Sequence, residues 1–175
     1  MPDPAVRAFI AVGSNIDPHA NILLAIEQLA RSVPMVGVST FYRTTPLGRP
    51  GQPAFLNGVV VVETAMAPRD LKFGLLRRIE ADLGRVRTAD KYAARTIDLD
   101  ILLYGDRIID QPDLKVPDPD LRERAFLIVP LAELAPDVVL PDDGRAAAEA
   151  ARGVDGAGLV ADIEFSERLR RRVGL

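Results

Sequence analysis

The chain has 175 residues, 48% of them hydrophobic, which is enough for one compact domain with a sizeable core. Its formal net charge of -3 argues against general affinity for nucleic acid or an anionic membrane, since both favour basic surfaces. The absence of cysteine and the single histidine exclude disulfides, thiolate metal sites and multi-histidine sites. No apolar run is long enough to cross a bilayer and no signal pattern opens the chain, so we expect a cytoplasmic protein.

The first two predicted elements are a strand and a helix. Alternating apolar residues over positions 6–12 predict a strand that ends at Gly13-Ser14-Asn15. Asp17 is placed to cap the following helix, and Pro18 to occupy its first turn. That helix carries an apolar stripe at helical spacing and is closed by a proline. His19 falls in the first turn and is expected to be a surface residue, neither a ligand nor a base.

Two further strands, over residues 35–43 and 54–65, flank a loop rich in proline and glycine. The loop, residues 44–53, is longer than a hairpin requires, so it either shapes a binding site or is a tolerated surface loop. Asn57 interrupts the apolar pattern of the third strand near this loop. Its amide could pair with the edge of a heterocycle or satisfy backbone groups of the loop, and both interpretations stay open.

A second helix is expected to begin at Pro68 and to stop at Gly84. Gly74 lies in its middle, where glycine costs about 1 kcal/mol relative to alanine, so we expect a close packing contact there. Glu80 could reach a ligand from the last turns of this helix, but it is assigned to the exposed face. The segment over 85–95 then holds four cations outside any clear periodicity. Such a run is usually a solvated loop, but next to an acidic strand it also suits phosphate recognition.

The most informative stretch is the strand predicted over residues 95–104. Its alternate apolar residues from Ile97 to Leu103 share one face, and Asp98 and Asp100 share the other. Residues two apart in a strand are separated by roughly 7 Å, so the two carboxylates point into the same space. They could bridge a pair of divalent cations about 3.5–4 Å apart, as in two-metal phosphoryl-transfer sites. Alternatively, they are solvated groups on a half-exposed strand.

The C-terminal third of the chain gives weaker signals. The expected elements are, in order, a return strand at 108–109, an irregular segment over 110–119, a helix over 125–134, a strand at 138–140 and helices over 146–152 and 165–173. The basic residues over 168–172 are interpreted as a solvated tail. Because no internal repeat or sharp composition shift is present, we expect one domain over residues 1–175, of which 145–175 is a C-terminal extension.

The order of elements up to residue 104 is strand–helix–strand followed by a second strand–helix–strand. This doubling indicates an α+β fold of the ferredoxin-like class. In that class an antiparallel sheet has helices packed on it, here expected in a three-layer α/β/α arrangement. Because one fold hosts many activities, the fold alone names no function.

Several separate stretches form a set of motifs in a fixed order. The most specific is KYAARTIDLDIL over residues 91–102. The others are VGSN (12–15), FYRTTPLG (41–48), FLN (55–57), GRVR (84–87), RAF (124–126) and PL (130–131). Taken together, the motifs resemble those of the 6-hydroxymethyl-7,8-dihydropterin pyrophosphokinases, enzymes of folate biosynthesis. The resemblance covers roughly residues 6–144.

This resemblance implies an ATP-dependent transferase that moves the terminal pyrophosphate of ATP to the hydroxymethyl group of the pterin and releases AMP. Asp98 and Asp100 would hold two magnesium ions on the triphosphate. Arg85 and Arg95 match the arginines of the family's mobile catalytic loop, which would close over the triphosphate. The expected partners are ATP and hydroxymethyldihydropterin, with no nucleic acid and no membrane, and a monomer is expected.

The resemblance also implies two sets of binding residues. The nucleotide would be bound by Arg87, Lys91, Tyr92, Ile101, Leu114, Lys115 and Arg124. The pterin would be bound by Thr44, Thr45, Pro46, Leu47, Phe55, Asn57 and Phe126. The rings of Phe55 and Phe126 would stack on the flat heterocycle, and Asn57 would pair with its edge. For the two phenylalanines the alternative is ordinary core packing.

Two positions depart from the family pattern. Asp118-Pro119 stands where many members carry His-Pro or His-Tyr, and a carboxylate cannot replace an imidazole donor to phosphate oxygens. Asp118 is therefore left out of the expected site. Tyr92-Ala93-Ala94 stands for the common Trp-Gly-Pro, which reduces the stacking area and changes the stiffness of the loop. This second departure affects loop closure and affinity more than the reaction.

Two other classes of function are compatible with parts of the sequence. A ferredoxin-like ligand-binding or regulatory module could keep Asp98 and Asp100 without turnover, but it would not need the arginine loop. A different phosphotransferase or pterin enzyme could also use this scaffold. A nucleic-acid-binding module is disfavoured by the acidic charge balance and by the lack of paired exposed aromatic residues on a central strand.

Overall fold

A six-stranded antiparallel sheet organises the part of the chain that the structure, a computed structural model, describes: residues 3–44 and 51–175. Strand β1 (Val6–Ser14) pairs with β4 (Phe55–Thr64) on one side and with β5 (Asp98–Tyr104) on the other. The other strands are β2 (Met35–Val38), β3 (Phe41–Thr44) and β8 (Val160–Asp162). Strands β2 and β3 pair with β4, and β8 pairs with β3, so β5 lies at one edge of the sheet.

Helices cover both faces of this sheet, which gives three layers. The first face packs against α1 (Pro18–Ser32), a π-helical segment (Asp70–Leu76) that continues into α2 (Arg77–Asp82), and α5 (Ile163–Arg172). The second face packs against α3 (Ala125–Leu134) and α4 (Ala147–Arg152). The predicted α+β class is confirmed. Among the described residues, no helix combines the length and apolar character needed to span a membrane.

The strand predicted over 35–43 is interrupted in its middle. Between Val38, opposite Val60, and Tyr42, opposite Asn57, it contains one residue more than β4 does. The buried Ser39 accounts for the interruption, because its hydroxyl accepts a hydrogen bond from the Val59 backbone N–H at 2.9 Å. The extra residue separates β2 from β3 and leaves β3 to run towards the Pro/Gly-rich loop.

A second irregularity changes the predicted face of one residue in β5. Phe9 pairs with Leu103 but Ile10 pairs with Ile101, so Leu102 is an extra residue in β5. Beyond this bulge the alternation shifts, and Leu103 joins Leu102 in the cluster against α3 while Ile101 stays in the cluster against α1. The prediction that Leu103 shares a face with Ile97 is therefore wrong. The acidic end of β5 precedes the bulge, so its alternation is unaffected.

Three predictions about helices are corrected. Asp17 does not cap α1 through its side chain; its backbone is left-handed (φ 42°). A Cβ at Gly74 would meet nothing within 4 Å, so no close contact explains this glycine, which lies in the π-helical segment. Glu80 is not exposed: its side chain is 2% accessible. Gly84 does stop the helix, with φ 78°, as expected.

The C-terminal segment is part of the folded structure rather than a solvated tail. Phe165 and Leu169 of α5 are buried in the first cluster, and β8, which was not predicted, extends the sheet. Arg170 donates a hydrogen bond to the Val38 carbonyl at 2.9 Å, and Arg172 pairs with Glu27. The interpretation of residues 168–172 as a solvated tail is therefore wrong for Arg170, whereas the Arg172 side chain is 62% exposed.

The remaining elements differ in detail from expectation. Helix α3 has the predicted bounds and contains Pro130. The segment expected to be irregular over 110–119 contains most of a short hairpin, β6 (Ile109–Gln111) and β7 (Leu114–Val116). In place of a strand at 138–140 there is an isolated bridge between Val139 and Ala146. His19 is half-exposed as expected, and its ring packs edge-on against Phe165 with 4.5 Å between centroids.

Candidate active site

A row of residues across the sheet sets out the candidate site. Gly13 of β1 lies directly opposite Asp98 of β5 on one side and Asn57 of β4 on the other. Because opposed residues of antiparallel strands share a face, Asp98 and Asn57 project on the same side, about 10 Å apart across two strand spacings. Gly13 has no side chain, and the Asn57 amide lies over it. A Cβ there would lie 2.4 Å from the Asn57 Oδ1 atom, so any larger residue would clash.

Asp100 and Phe55 lie on this same face. Each is two residues from a member of the row, Asp100 from Asp98 and Phe55 from Asn57, so strand alternation returns it to the row's side of the sheet. This is the face covered by α3, because Val59 and Val61 project from it into the cluster that contains Ile128 and Leu131. Carboxylates at the sheet edge and an amide nearer its middle therefore face the same helix layer.

Asp98 is held by two arginines. Its Oδ1 accepts a hydrogen bond from Arg85 at 2.8 Å, and its Oδ2 accepts one from Arg95 at 2.5 Å. Burial alone would raise the pKa of Asp98, but the charges and hydrogen bonds of Arg85 and Arg95 outweigh it and lower that pKa. Asp98 is therefore a carboxylate at neutral pH, and both predicted catalytic arginines meet at it.

Glu80 supports this arrangement and was missed as a site residue. Its carboxylate pairs with Arg85 and with Arg87, the latter at 2.5 Å, and accepts a hydrogen bond from the Leu99 backbone N–H at 3.3 Å. Burial lowers the pKa of Arg85, but the charges and hydrogen bonds of Asp98 and Glu80 outweigh burial and raise that pKa. The only sequence signal for Glu80 is its position beside Ile79 at the buried edge of the helical stripe.

Asp100 has a different environment. The ammonium of Lys72, on the π-helical segment, lies 3.3 Å from its Oδ1 atom. Burial raises the pKa of Asp100, Lys72 lowers it and Asp98 raises it further, with a net shift upward. The pKa of Asp118 is raised to about 6, mainly by burial. The nearby negative charge of Asp100 raises it further. Lys72 belongs to no motif of the sequence, and Asp118 is one of the two positions that depart from the family pattern.

The donor set of this acidic end suits hard divalent cations. Asp98 and Asp100 supply carboxylate oxygens on one face, the ligand type that Mg²⁺ prefers, and their mutual repulsion would be relieved by a cation between them. Within residues 3–44 and 51–175 no group of three or more acidic, histidine or cysteine side chains could hold a metal by itself. A cation here would thus share its remaining positions with substrate oxygens and water.

The loop between α2 and β5 is anchored at its C-terminal end by Asn15. The Arg95 N–H donates to Asn15 Oδ1 at 2.7 Å, and the backbone N–H groups of Asn15 and Ile16 donate to the Arg95 carbonyl. Asn15 also donates to Gln52 at 3.1 Å, and Gln52 in turn donates to the Tyr92 carbonyl at 2.9 Å. The motif VGSN therefore acts as the attachment point of the arginine loop, a role that its sequence did not reveal.

A cavity of about 200 Å³ lies inside this loop. Residues that line it include Arg85, Arg87, Lys91 and Arg95, so its wall is strongly cationic. The Lys91 ammonium lies 4.9 Å from the centre of the Tyr92 ring, and Tyr92 is 40% exposed. The loop thus brings together the arginines and the lysine that the sequence assigned to triphosphate binding.

A second cavity, of about 210 Å³, opens beside Asp100. Its lining residues include Lys72, Asp100, Leu114, Lys115 and Asp118. Two of the expected nucleotide-binding residues, Leu114 and Lys115, are therefore adjacent to the acidic pair.

The other two expected nucleotide-binding residues outside the loop are Ile101 and Arg124. The Ile101 side chain is buried in the core at 1% exposure, so only its backbone could contact a ligand. Arg124 precedes α3 as its N-cap residue and has no ion pair with any described residue.

Two of the expected pterin-binding residues, Thr44 and Phe55, pair with each other beside Asn57 at the end of the row. Asn57 donates to the Thr44 hydroxyl at 2.8 Å. This contact does not decide whether the Asn57 amide pairs with a heterocycle edge or satisfies backbone groups of the loop. Phe55 and Phe126 are half-buried and belong to neither hydrophobic cluster, so ordinary core packing does not account for them. Thr45, Pro46 and Leu47 lie outside the described residues.

Comparison with known proteins gives a consistent assignment. The family model for 7,8-dihydro-6-hydroxymethylpterin-pyrophosphokinase matches residues 9–136. The 2-amino-4-hydroxy-6-hydroxymethyldihydropteridine pyrophosphokinase of Pseudomonas aeruginosa is 45% identical over 139 residues, covering 78% of this chain and 85% of the relative. The enzyme of the same name from Haemophilus influenzae is 44% identical over 142 residues, covering 78% of this chain and 86% of the relative.

Solved structures agree on the fold. A crystal structure titled as Plasmodium falciparum HPPK-DHPS, a triple mutant with SDX-DHP, matches with a TM-score of 0.66 at 13% identity over 99% of this chain. This chain spans 46% of that longer chain. The family model covers most of this chain, and the curated relatives exceed 40% identity over most of their own length. The chain therefore belongs to the 7,8-dihydro-6-hydroxymethylpterin-pyrophosphokinase family of enzymes.

Proposed function

We propose that this enzyme transfers pyrophosphate from ATP to the hydroxymethyl group of 6-hydroxymethyl-7,8-dihydropterin, giving AMP and the pterin diphosphate. The observation that carries the proposal is the row Asp98–Gly13–Asn57. It puts a charged group suited to a metal–phosphate complex and an amide suited to a heterocycle edge on one face of the sheet. A hydroxymethyl group attached to a ring held near Asn57 would then point towards the acidic edge.

At that edge, Asp98 and Asp100 are the residues that would hold magnesium. When bound, Mg²⁺ would neutralise charge on the triphosphate and favour in-line transfer. The protein's own contribution is to fix both carboxylates on a strand rather than on a loop. Arg85 and Arg95 also keep Asp98 ionised, because they lower its pKa.

The arginine loop would supply the mobile positive charge. Arg85 is 9% exposed and pairs with both Glu80 and Asp98, whereas Arg95 is 25% exposed and lies at the rim. Guanidinium groups bind phosphate oxygens in a fork, so a triphosphate would compete with Asp98 for both of them. The backbone contacts of Asn15 would hold the base of the loop while the side chains turn to the substrate.

The pterin would bind with its edge at Asn57. Half-buried Phe55 and Phe126 have ring area free for stacking on a flat heterocycle. Thr44 would orient the Asn57 amide, since its hydroxyl accepts one of the two amide protons. We further propose that the whole chain acts as one catalytic domain, because β8 and α5 of the C-terminal extension pack onto the same sheet.

The identity of the nucleotide product tests the proposal. Purified protein supplied with ATP, Mg²⁺ and hydroxymethyldihydropterin should form AMP and the pterin diphosphate, which ion-exchange chromatography separates. Formation of ADP would indicate a simple kinase, and absence of turnover would favour a binding module.

Matched variants then test the assignment of residues. Asp98→Asn and Asp100→Asn should each lower kcat by about a hundredfold or more at saturating Mg²⁺, whereas Asp106→Asn, an exposed aspartate, should not. Near-normal rates in either of the first two variants would refute the metal assignment. Arg95→Ala should lower kcat more than it raises the KM for ATP, and the reverse result would make it a ground-state binding residue.

A further inference from the structure

Lys72 is a residue of the acidic edge that no motif and no expected role accounts for. It lies on the π-helical segment Asp70–Leu76, a kind of distortion that is frequently found at functional sites. Its ammonium is 3.3 Å from the Asp100 Oδ1 atom, and its side chain is only 14% exposed. Both members of the predicted metal-binding pair therefore already contact cations of the protein, Asp98 the two arginines and Asp100 Lys72.

Within the described residues Lys72 forms its ion pair with Asp100, while the carboxylates of Asp113 and Asp118 lie near enough for its charge to lower their pKa values. It lines the cavity of about 210 Å³ beside Asp100, together with Lys115 and Asp118. Lys115 is paired with Asp110 on the hairpin, so it does not compete for Asp100. The ring of Phe73, whose centre is 5.7 Å away, packs beside Lys72 on its own segment. The Lys72 side chain is thus held against one carboxylate rather than extended into solvent.

We propose that Lys72 is an internal counter-ion that takes the place of the divalent cation on Asp100 until the cation arrives with the nucleotide. The inference rests on the proposed function. An ammonium and a divalent cation repel each other and need the same carboxylate oxygens, so binding of the metal alone must displace Lys72. The negative phosphates of a metal–nucleotide complex offset the repulsion between the metal and the displaced ammonium. Lys72 therefore opposes binding of the complex less than it opposes binding of the metal alone.

Binding of Mn²⁺ alone, followed by electron paramagnetic resonance of the free ion, tests this without any turnover. Removing the ammonium in Lys72→Met should tighten Mn²⁺ binding about fivefold, the scale of one partly exposed ion pair. The matched control is Lys115→Met, which removes the same charge from the same cavity but not from Asp100, and it should change the affinity by less than about twofold. Lys72→Arg, which keeps the charge, should retain wild-type affinity.

A second measurement uses the methylene analogue of ATP that cannot be cleaved between its α- and β-phosphates. With the analogue present, Lys72→Met should bind Mn²⁺ no more tightly than wild type does. Unchanged Mn²⁺ binding in Lys72→Met, or equal tightening in both lysine variants, would overturn the inference. If Lys72→Met folds poorly, Lys72→Gln provides the same test with a polar side chain.

Asp100→Asn separates failure of this inference from failure of the proposed function. Wild-type Mn²⁺ affinity in Asp100→Asn would show that Asp100 is not a metal ligand, and both proposals would fall. Loss of Mn²⁺ binding in Asp100→Asn, combined with unchanged binding in Lys72→Met, would overturn only the counter-ion role of Lys72.

Discussion

Asp118 gives the sharpest test of the electrostatics at the acidic edge. Its Oδ1 accepts a hydrogen bond from the Asp120 N–H at 2.8 Å, and its own N–H donates to the Leu102 carbonyl at 3.0 Å. Burial, with the nearby charges of Asp100 and Asp120, raises the pKa of Asp118 to about 6 against the opposing effects of that hydrogen bond and of Lys72. Asp118→Asn keeps the oxygen acceptor but cannot ionise. It therefore isolates the free-energy cost of burying the ionised Asp118 carboxylate.

The sign and size of the effect follow from this pKa. The unfolded value is about 3.9 and the folded value about 6, so the stabilisation linked to protonation is complete below about pH 4 and is lost as the pH rises through 6. The full difference would correspond to about 3 kcal/mol, and solvent screening of a partly exposed group reduces it to about 1–2 kcal/mol. Asp118→Asn should therefore be more stable than wild type above pH 7 by that amount, with a Tm about 3–6 °C higher.

Urea unfolding at pH values from about 4 to about 8 checks this prediction. The free energy of unfolding of Asp118→Asn should exceed that of wild type at pH 8 and converge with it at pH 4. The matched control, Asp106→Asn, changes an exposed aspartate that has no ion pair with any described residue, and it should differ by less than about 0.5 kcal/mol throughout. A stability difference for Asp118→Asn that does not vary with pH would refute the reasoning.

Three further variants probe other parts of the fold. Glu80→Leu should lower the free energy of unfolding by about 2–3 kcal/mol in urea, because it leaves the Leu99 N–H and buried guanidinium groups without their acceptor; wild-type stability would contradict this. Phe165→Ala should cost about 3–5 kcal/mol by the same measurement, and a cost below 1 kcal/mol would mean that α5 is not part of the core. Asn15→Ala should lower kcat about tenfold through looser placement of Arg95, and an effect on stability alone would contradict a positioning role.

The acidic pair could be predicted from sequence because its pattern is local. Strand alternation places Asp98 and Asp100 on one face without any knowledge of the rest of the chain, and the bulge that breaks the alternation comes only after them, at Leu102. The same rule failed for Leu103, since a bulge depends on pairing with β1 and leaves no mark in the sequence of β5 alone.

The residues that were missed depend on contacts distant in sequence. Lys72 meets Asp100, and Asn15 meets Arg95, so each pairing exists only once the sheet and its helices are assembled. Glu80 was assigned to an exposed face because a charged residue next to an apolar stripe is usually solvated. Its burial follows from the arginines that return to it from the loop, which helical periodicity cannot show.

The location of β5 at the sheet edge accounts for the division of the site into a charged part and an apolar part. An edge strand has one side open, so groups from the π-helical segment, α2 and the arginine loop can all reach Asp98 and Asp100 around it. Gly13 and Asn57 instead have a strand on each side. In the proposed function, a phosphate chain would displace the charges that reach the acidic pair around the open edge. The flat surface one and two strands further in suits a rigid ring that needs only stacking and one amide to fix its orientation.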